Sequence, residues 1–204
     1  MTALKRWAAR PLHAALILML AACASTPPQV LLTLPPGASA AAAAAAPAAP
    51  AAVRVLAVSR PEIPEYLLAR RVRYRAETST LGEWPDTFWA ERIEIGVARE
   101  FTAALRERLP GWRLCEASCS EQSPAASLQV VLTRMDYLRS ERRLKASARI
   151  TVWSTQGARV PLRAGEFSFD IPGDADTPQS QARASTELLR RVAAEAATLV
   201  AAAP

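Results

Sequence analysis

The sequence predicts an α+β fold, an antiparallel sheet of about five to six strands with two main amphipathic helices packed on one face. From Leu144 the chain alternates cleanly. Leu144, Ala146, Ala148, Ile150 and Val152 face one way and Lys145, Ser147, Arg149 and Thr151 the other, the period of a half-buried strand. Trp89, Ile93, Val97, Phe101 and Leu105 recur every four residues, surrounded by Glu91, Arg92, Glu94, Arg99, Glu100, Arg106 and Glu107, the period of an amphipathic helix. A second stripe, Leu189, Val192, Ala196 and Leu199, follows Asp176-Thr177-Pro178. There Asp176 or Thr177 can cap and Pro178 suits the first helical position.

The chain opens with Lys5, Arg6 and Arg10, an apolar run from Ala14 to Met19, and Leu20-Ala21-Ala22-Cys23. Charged start, apolar middle and small-residue exit are the anatomy of a secretory signal peptide. Leu-Ala-Ala-Cys resembles the lipobox of bacterial lipoproteins. The resemblance implies cleavage before Cys23 and acyl chains on its sulfur and new amino end. A plain signal peptide or an uncleaved anchor, with Cys23 incidental, is the alternative. The run is well short of the roughly 20 residues that cross a bilayer, which argues against an anchor. Removing residues 1–22 of the 204 leaves 182, enough for one domain with a substantial core. Lys5, Arg6 and Arg10 leave with the signal, so the 25 basic residues fall to 22 against 19 acidic, a net charge of +3. That balance is too mild to argue for nucleic acid.

Residues 23–29 read as a polar, Pro-containing lipidated tether, and 30–204 as a single domain. Val30–Leu34 is a candidate first strand, ended by Pro35-Pro36-Gly37. Residues 38–52 form an Ala/Pro-rich insert of low complexity. Pairing of Val30–Leu34 into the sheet would leave a tether reaching about 20 Å from Cys23; otherwise the tether runs to Ala52 and spans roughly 30 Å. Val53–Val58 is a strand, followed by an extended connection through Pro61 and Pro64. Arg71, Val72, Arg73, Tyr74 and Arg75 alternate strictly, placing three arginines on one face of a strand expected at a sheet edge. Those arginines are candidates for contact with an acidic partner or lipid headgroups; a solvated strand face explains them more simply.

For the first helix, Asp86 or Thr87 is the expected cap and Pro110-Gly111 the end. Trp112–Glu116 is a short strand candidate. Leu128, Val130 and Leu132 alternate, then the apolar phase shifts to Met135 and Tyr137, which implies a bulge near Thr133–Arg134. A final strand through Val160, Leu162, Phe167, Phe169 and Ile171 carries an expected irregularity at Gly165. Tight turns make the last three strands an antiparallel meander. An oxidising envelope compartment would permit Cys115 and Cys119 to pair, with two free thiols as the alternative.

Little in the sequence suggests catalysis. The single histidine, His13, leaves with the signal, and with it any Ser-His or Cys-His pair and any His-ligated metal. The 7 glycines form no G-x-G pair. Glu62/Glu65 and Asp174/Asp176 are the remaining paired carboxylates. Acids so close in loops usually cap helices or meet solvent. No enzyme activity and no cofactor beyond the acyl chains on Cys23 are expected.

The order of elements resembles the ABC-type transport auxiliary lipoproteins, the paraquat-inducible protein C family. Leu32-Thr33-Leu34-Pro35, Val53–Val58, Ile63-Pro64-Glu65-Tyr66-Leu67, Trp89-Ala90-Glu91 before the stripe to Leu109, Met135-Asp136, Leu144–Trp153 and the last helix follow that family's sequence of motifs. The first strand lacks the family's usual tyrosine, the Ala-rich insert is unusual, and residues 80–88 differ. The resemblance implies a non-catalytic auxiliary component of an ABC/MCE-type (mammalian-cell-entry) intermembrane lipid transport system. Its partners would be an MCE-domain protein with ABC or membrane-integral components, and the membrane itself through the anchor. Docking to ring-forming assemblies makes a homo-oligomer plausible. Ala24, where inner-membrane retention would use Asp, implies the periplasmic face of the outer membrane. Other classes to weigh are a lipid-carrying module, with phospholipid between helix and sheet, and a structural lipoprotein of a secretion or peptidoglycan-associated machine.

Overall fold

The computed structural model describes residues 28–37, 54–116, 119 and 121–203. The signal peptide, Cys23, Ala24 and the 38–52 insert lie outside the described residues. Strands β1 (Val30–Leu32), β2 (Arg54–Val58), β3 (Arg71–Arg75) and β4 (Leu81–Trp89) precede helix α1 (Ile93–Arg108). Strands β5 (Trp112–Cys115), β6 (Ala126–Leu138), β7 (Arg143–Ser154) and β8 (Pro161–Pro172) lead to helix α2 (Pro178–Ala201).

The class is α+β as expected, but the sheet has eight strands and mixed direction. Its centre is β6. One edge of β6 pairs antiparallel with β7 along its whole length, and β7 pairs antiparallel with β8. On the other side, Leu56–Val58 of β2 runs parallel to Ala126–Leu128, and β3 meets the far end through Arg75 opposite Leu138. Between them Glu62 fills the gap: its N–H donates to the Val130 carbonyl at 3.0 Å and its carbonyl accepts from Leu132 N–H at 2.8 Å. The order is then β1-β4-β3-β6-β2-β5, with β1 parallel to β4 and β5 parallel to β2.

The meander is as the alternation implies. The register shift between Leu132 and Arg134 sits where the apolar phase changes. The second irregularity is not at Gly165, which pairs regularly with Ile150; the shift lies between Val152 and Trp153, opposite Arg163 and Pro161. Proline has no N–H to give the ladder, so the register breaks beside it.

Strand β4 replaces the expected start of the helix. Asp86 has φ of 45°, and between Arg71/Phe88 and Arg73/Glu83 the register slips, so residues 84–87 bulge opposite Val72. Pro85 is tolerated in that bulge because no ladder partner is required of it. Trp89 ends β4 buried on the core face rather than opening the helix. Helix α1 starts at Ile93 after Arg92, with no side-chain cap. Gly82 faces Tyr74, whose ring occupies the space a side chain at 82 would need.

Both helices share one core with the apolar face of the sheet. Val97, Phe101 and Leu105 of α1 and Leu188, Leu189 and Val192 of α2 are buried with Leu128, Val130, Leu132, Leu144, Ala146 and Ile150. Thr177 caps α2, accepting from Ser180 N–H at 3.2 Å, with Pro178 in the first turn. Among the described residues no helix is long and apolar enough to cross a membrane.

Candidate functional site

Three places hold the candidate residues: the edge strand β1, the arginine strand β3, and the cysteine loop. Strand β1 forms one edge of the sheet. Leu32 and Leu34 are buried, while Val30 is 39% and Leu31 56% exposed. Leu31 pairs with Phe88 of β4, and Phe88 with Arg71 of β3. The guanidinium carbons of Arg71 and Arg70 lie 4.8 and 5.8 Å from the centre of the Phe88 ring. Residues 33–37 then cross to the helices, where Gly37 N–H donates to buried Glu100 at 3.2 Å and Thr186 donates to the Pro35 carbonyl at 2.9 Å.

Strand β3 is interior, flanked by β4 and β6, so the expected edge position is corrected. Its arginines are not an open cationic strip either. Arg71 and Arg73 lie 3.5 and 3.2 Å from Glu83. Arg75 is paired with Asp136 at 2.9 Å. Asp136 is buried and also accepts from Tyr66 Oη and Arg134 Nε, each at 2.9 Å. Burial alone would raise the Asp136 carboxyl, but hydrogen bonds from Arg75, Tyr66 and Arg134 together hold it below the usual carboxylate range. Burial, then the neighbouring carboxylate, pushes the Tyr66 phenol up. Because β3 and β6 share a single register pair, this clasp joins the β1-β4-β3 edge to the rest of the sheet. Sequence reading placed Asp136 only as a motif member; no local pattern marks a partner 61 residues away.

A second lock lies on the core side. Trp84 Nε1 donates to Gln181 at 2.7 Å, and Gln181 Nε2 donates to the Arg73 carbonyl at 2.7 Å. Arg139 stacks on Trp84 at 4.3 Å and pairs with Asp176 at 2.8 Å.

Three of the four candidate acids have side-chain partners. Asp174 pairs with Arg183, which with Ser180 holds it down at about 2. Asp176 takes Arg139, and Glu62 accepts from Gln129 at 3.0 Å. Glu65 lies in a single 3-10 turn. Among the described residues no group of three or more His, Cys, Asp or Glu is placed to hold a metal. Cys115, at the end of β5, and Cys119 are joined through sulfur with Cα atoms 5.7 Å apart.

The enclosed cavity lined by Leu67, Trp89, Ile93, Met135, Leu144 and Gln181 measures about 20 Å³, far below the roughly 300–1,000 Å³ of small-molecule sites. Two larger clefts reach that range: about 610 Å³ between the end of β2 (Val58, with Arg60 beyond it) and α1 (Ile95, Thr102), and about 530 Å³ between β8 (Phe167, Phe169) and α2 (Arg190, Ala194).

A mixed sheet of eight strands covered on one face by two helices, with an N-terminal strand built into it, defines an α+β class of protein. The chain belongs to the ABC-type transport auxiliary lipoprotein component family, whose model matches residues 33–197. The fold is similar to the crystal structure of an uncharacterized protein (16% identity, 84% of this chain and 98% of that one, TM-score 0.66). It is also similar to protein XCC0632 from Xanthomonas campestris (14% identity, 72% and 84% covered, TM-score 0.56). A more distant likeness, to the PelC dodecamer from Paraburkholderia phytofirmans, has 14% identity, 71% and 89% covered, and a TM-score of 0.42. Comparison with curated proteins finds no match.

Proposed function

We propose that this chain is a non-catalytic lipoprotein held by acyl chains on Cys23 at the periplasmic face of the outer membrane. There it serves an MCE-type intermembrane lipid transport system as its auxiliary docking component. The observation that carries the reading is the family match over residues 33–197, directly behind Leu20-Ala21-Ala22-Cys23. Ala24 supports outer-membrane sorting, and a Cys115–Cys119 disulfide suits an oxidising compartment. Assembly as a homo-oligomer would let one ring of copies meet a ring-forming partner.

With β1 in the sheet, the six residues 24–29 between Cys23 and Val30 reach about 20 Å when fully extended. The lipid is therefore a positioning device as well as an anchor. Affinity purification of the acylated chain from native envelopes should recover an MCE-domain protein with ABC or membrane-integral components. Recovery of secretion or peptidoglycan components instead, with no MCE protein, would overturn the reading.

A further inference from the structure

We infer that the outer face of the β1-β4-β3 edge rests on the anionic phospholipid surface that carries the anchor, with Leu31 and Phe88 as its apolar contact and Arg70 and Arg71 as its cations. The inference rests on the acylation of Cys23 proposed above.

Register places Leu31, Phe88 and Arg71 in one row across three strands. They share the face opposite Leu32 and Trp89, which are buried. Leu31, exposed at the rim of the sheet, has no core function. An aromatic ring overlaid by two guanidiniums is a composition suited to headgroup depth, where aromatic bodies and cationic tips divide between acyl chains and phosphates. Among the described residues no carboxylate pairs with Arg70, and Arg71 keeps 46% of its side chain exposed beside Glu83.

Geometry supplies the occupant. The tether from Cys23 holds Val30 within about 20 Å of the acyl chains, which keeps this edge close to the bilayer. The turn between β7 and β8 lies at the far side of the sheet. It adjoins Ser154, which pairs with Ala126, whereas the parallel register of Arg75 with Leu138 sets Arg71 level with about Arg134, about 25 Å away along the strand direction. Val160 in that turn is also exposed, at 48%, and serves as an internal control for apolar exposure without membrane proximity. Each cation near an anionic surface adds about fivefold to partitioning, and two of them orient a domain whose attachment the lipid already secures.

The test uses the acylated chain in vesicles of phosphatidylethanolamine and phosphatidylglycerol, as the Leu31→Cys or Val160→Cys variant carrying an environment-sensitive fluorophore. Both positions are exposed, and unchanged thermal unfolding confirms the fold. Flotation reports the anchor; quenching by doxyl-labelled lipid against aqueous iodide reports the surface. The expected result is flotation of both, doxyl quenching at 31 only and iodide quenching at 160 only. Arg70→Glu, or vesicles of phosphatidylcholine alone, should reduce the doxyl quenching at 31. Failure to float would overturn the acylation reading and this inference with it. Flotation with equal iodide quenching at 31 and 160 would overturn this inference alone, as would shielding of 31 from both quenchers, which would mean that a second copy or another protein covers the face.

Discussion

Replacing Asp136 by alanine should destabilise the domain by about 3 kcal/mol, because it removes the clasp between β3 and β6. The carboxylate is only 6% exposed and accepts from Arg75, Tyr66 and Arg134. Its loss strands Arg75, whose side chain is 18% exposed. Breaking a buried pair costs about 3–5 kcal/mol; Arg134, at 48% exposure, can turn to water, so the low end applies. Tyr66→Phe removes one neutral donor and should cost about 1 kcal/mol. The pH dependence has a definite sign. The folded-state pKa of Asp136 is depressed, so its contribution is fully present above the unfolded carboxylate pKa and is lost as pH falls through the folded value. The gap between wild type and Asp136→Ala should therefore be widest at neutral pH and narrow in acid, below about pH 4. Urea unfolding followed by tryptophan fluorescence measures both. A cost under about 0.5 kcal/mol at neutral pH, or a gap that acid leaves unchanged, would refute the assignment of the arginine strand to a structural clasp.

Other substitutions test separate parts of the account. Gln181→Ala leaves the Trp84 N–H and the Arg73 carbonyl without their buried partner, and should cost about 2–3 kcal/mol in the same assay. Reducing the link between Cys115 and Cys119 should lower stability by about 2 kcal/mol, the chain-entropy value for so short a loop; unfolding with and without reductant reads it. Cys23→Ala should leave the thermal unfolding of the domain unchanged and abolish its retention in washed membranes, together with transport function. As pH falls from neutral toward 2, the Asp174–Arg183 pair should persist below the usual carboxylate range, to about pH 2, which the chemical shift of the Asp174 carboxyl would follow.

The sequence made the meander and both helices legible because each is governed by local period. Even the bulge after Leu132 showed as a change of apolar phase. Strand β4 was hidden because Gly82, Pro85 and Asp86 are poor strand formers and Pro-Asp-Thr mimics a helix start. Trp89 compounded this: four residues before Ile93, it fits the helical stripe while belonging to the sheet. Parallel pairing leaves no local mark, since β2 and β5 are joined only after β3, β4 and α1 have intervened. At the site the difficulty was charge. Alternation correctly placed Arg71, Arg73 and Arg75 on one face, yet their counter-ions Glu83 and Asp136 come from other strands. The turn after β6 follows the same rule, since Arg139, Arg143 and Lys145 pair with Asp176, Asp170 and Glu141. The half-buried partner of Leu31, Phe88, lay in the strand that local pattern concealed.

The central claim is that lipid on Cys23 positions this domain, and the mass of the N-terminal peptide of the chain purified from envelopes tests it most directly. The account predicts a peptide beginning at Cys23 and carrying acyl chains on its sulfur and amino group. A mature chain that begins elsewhere, or an unmodified Cys23, would contradict it.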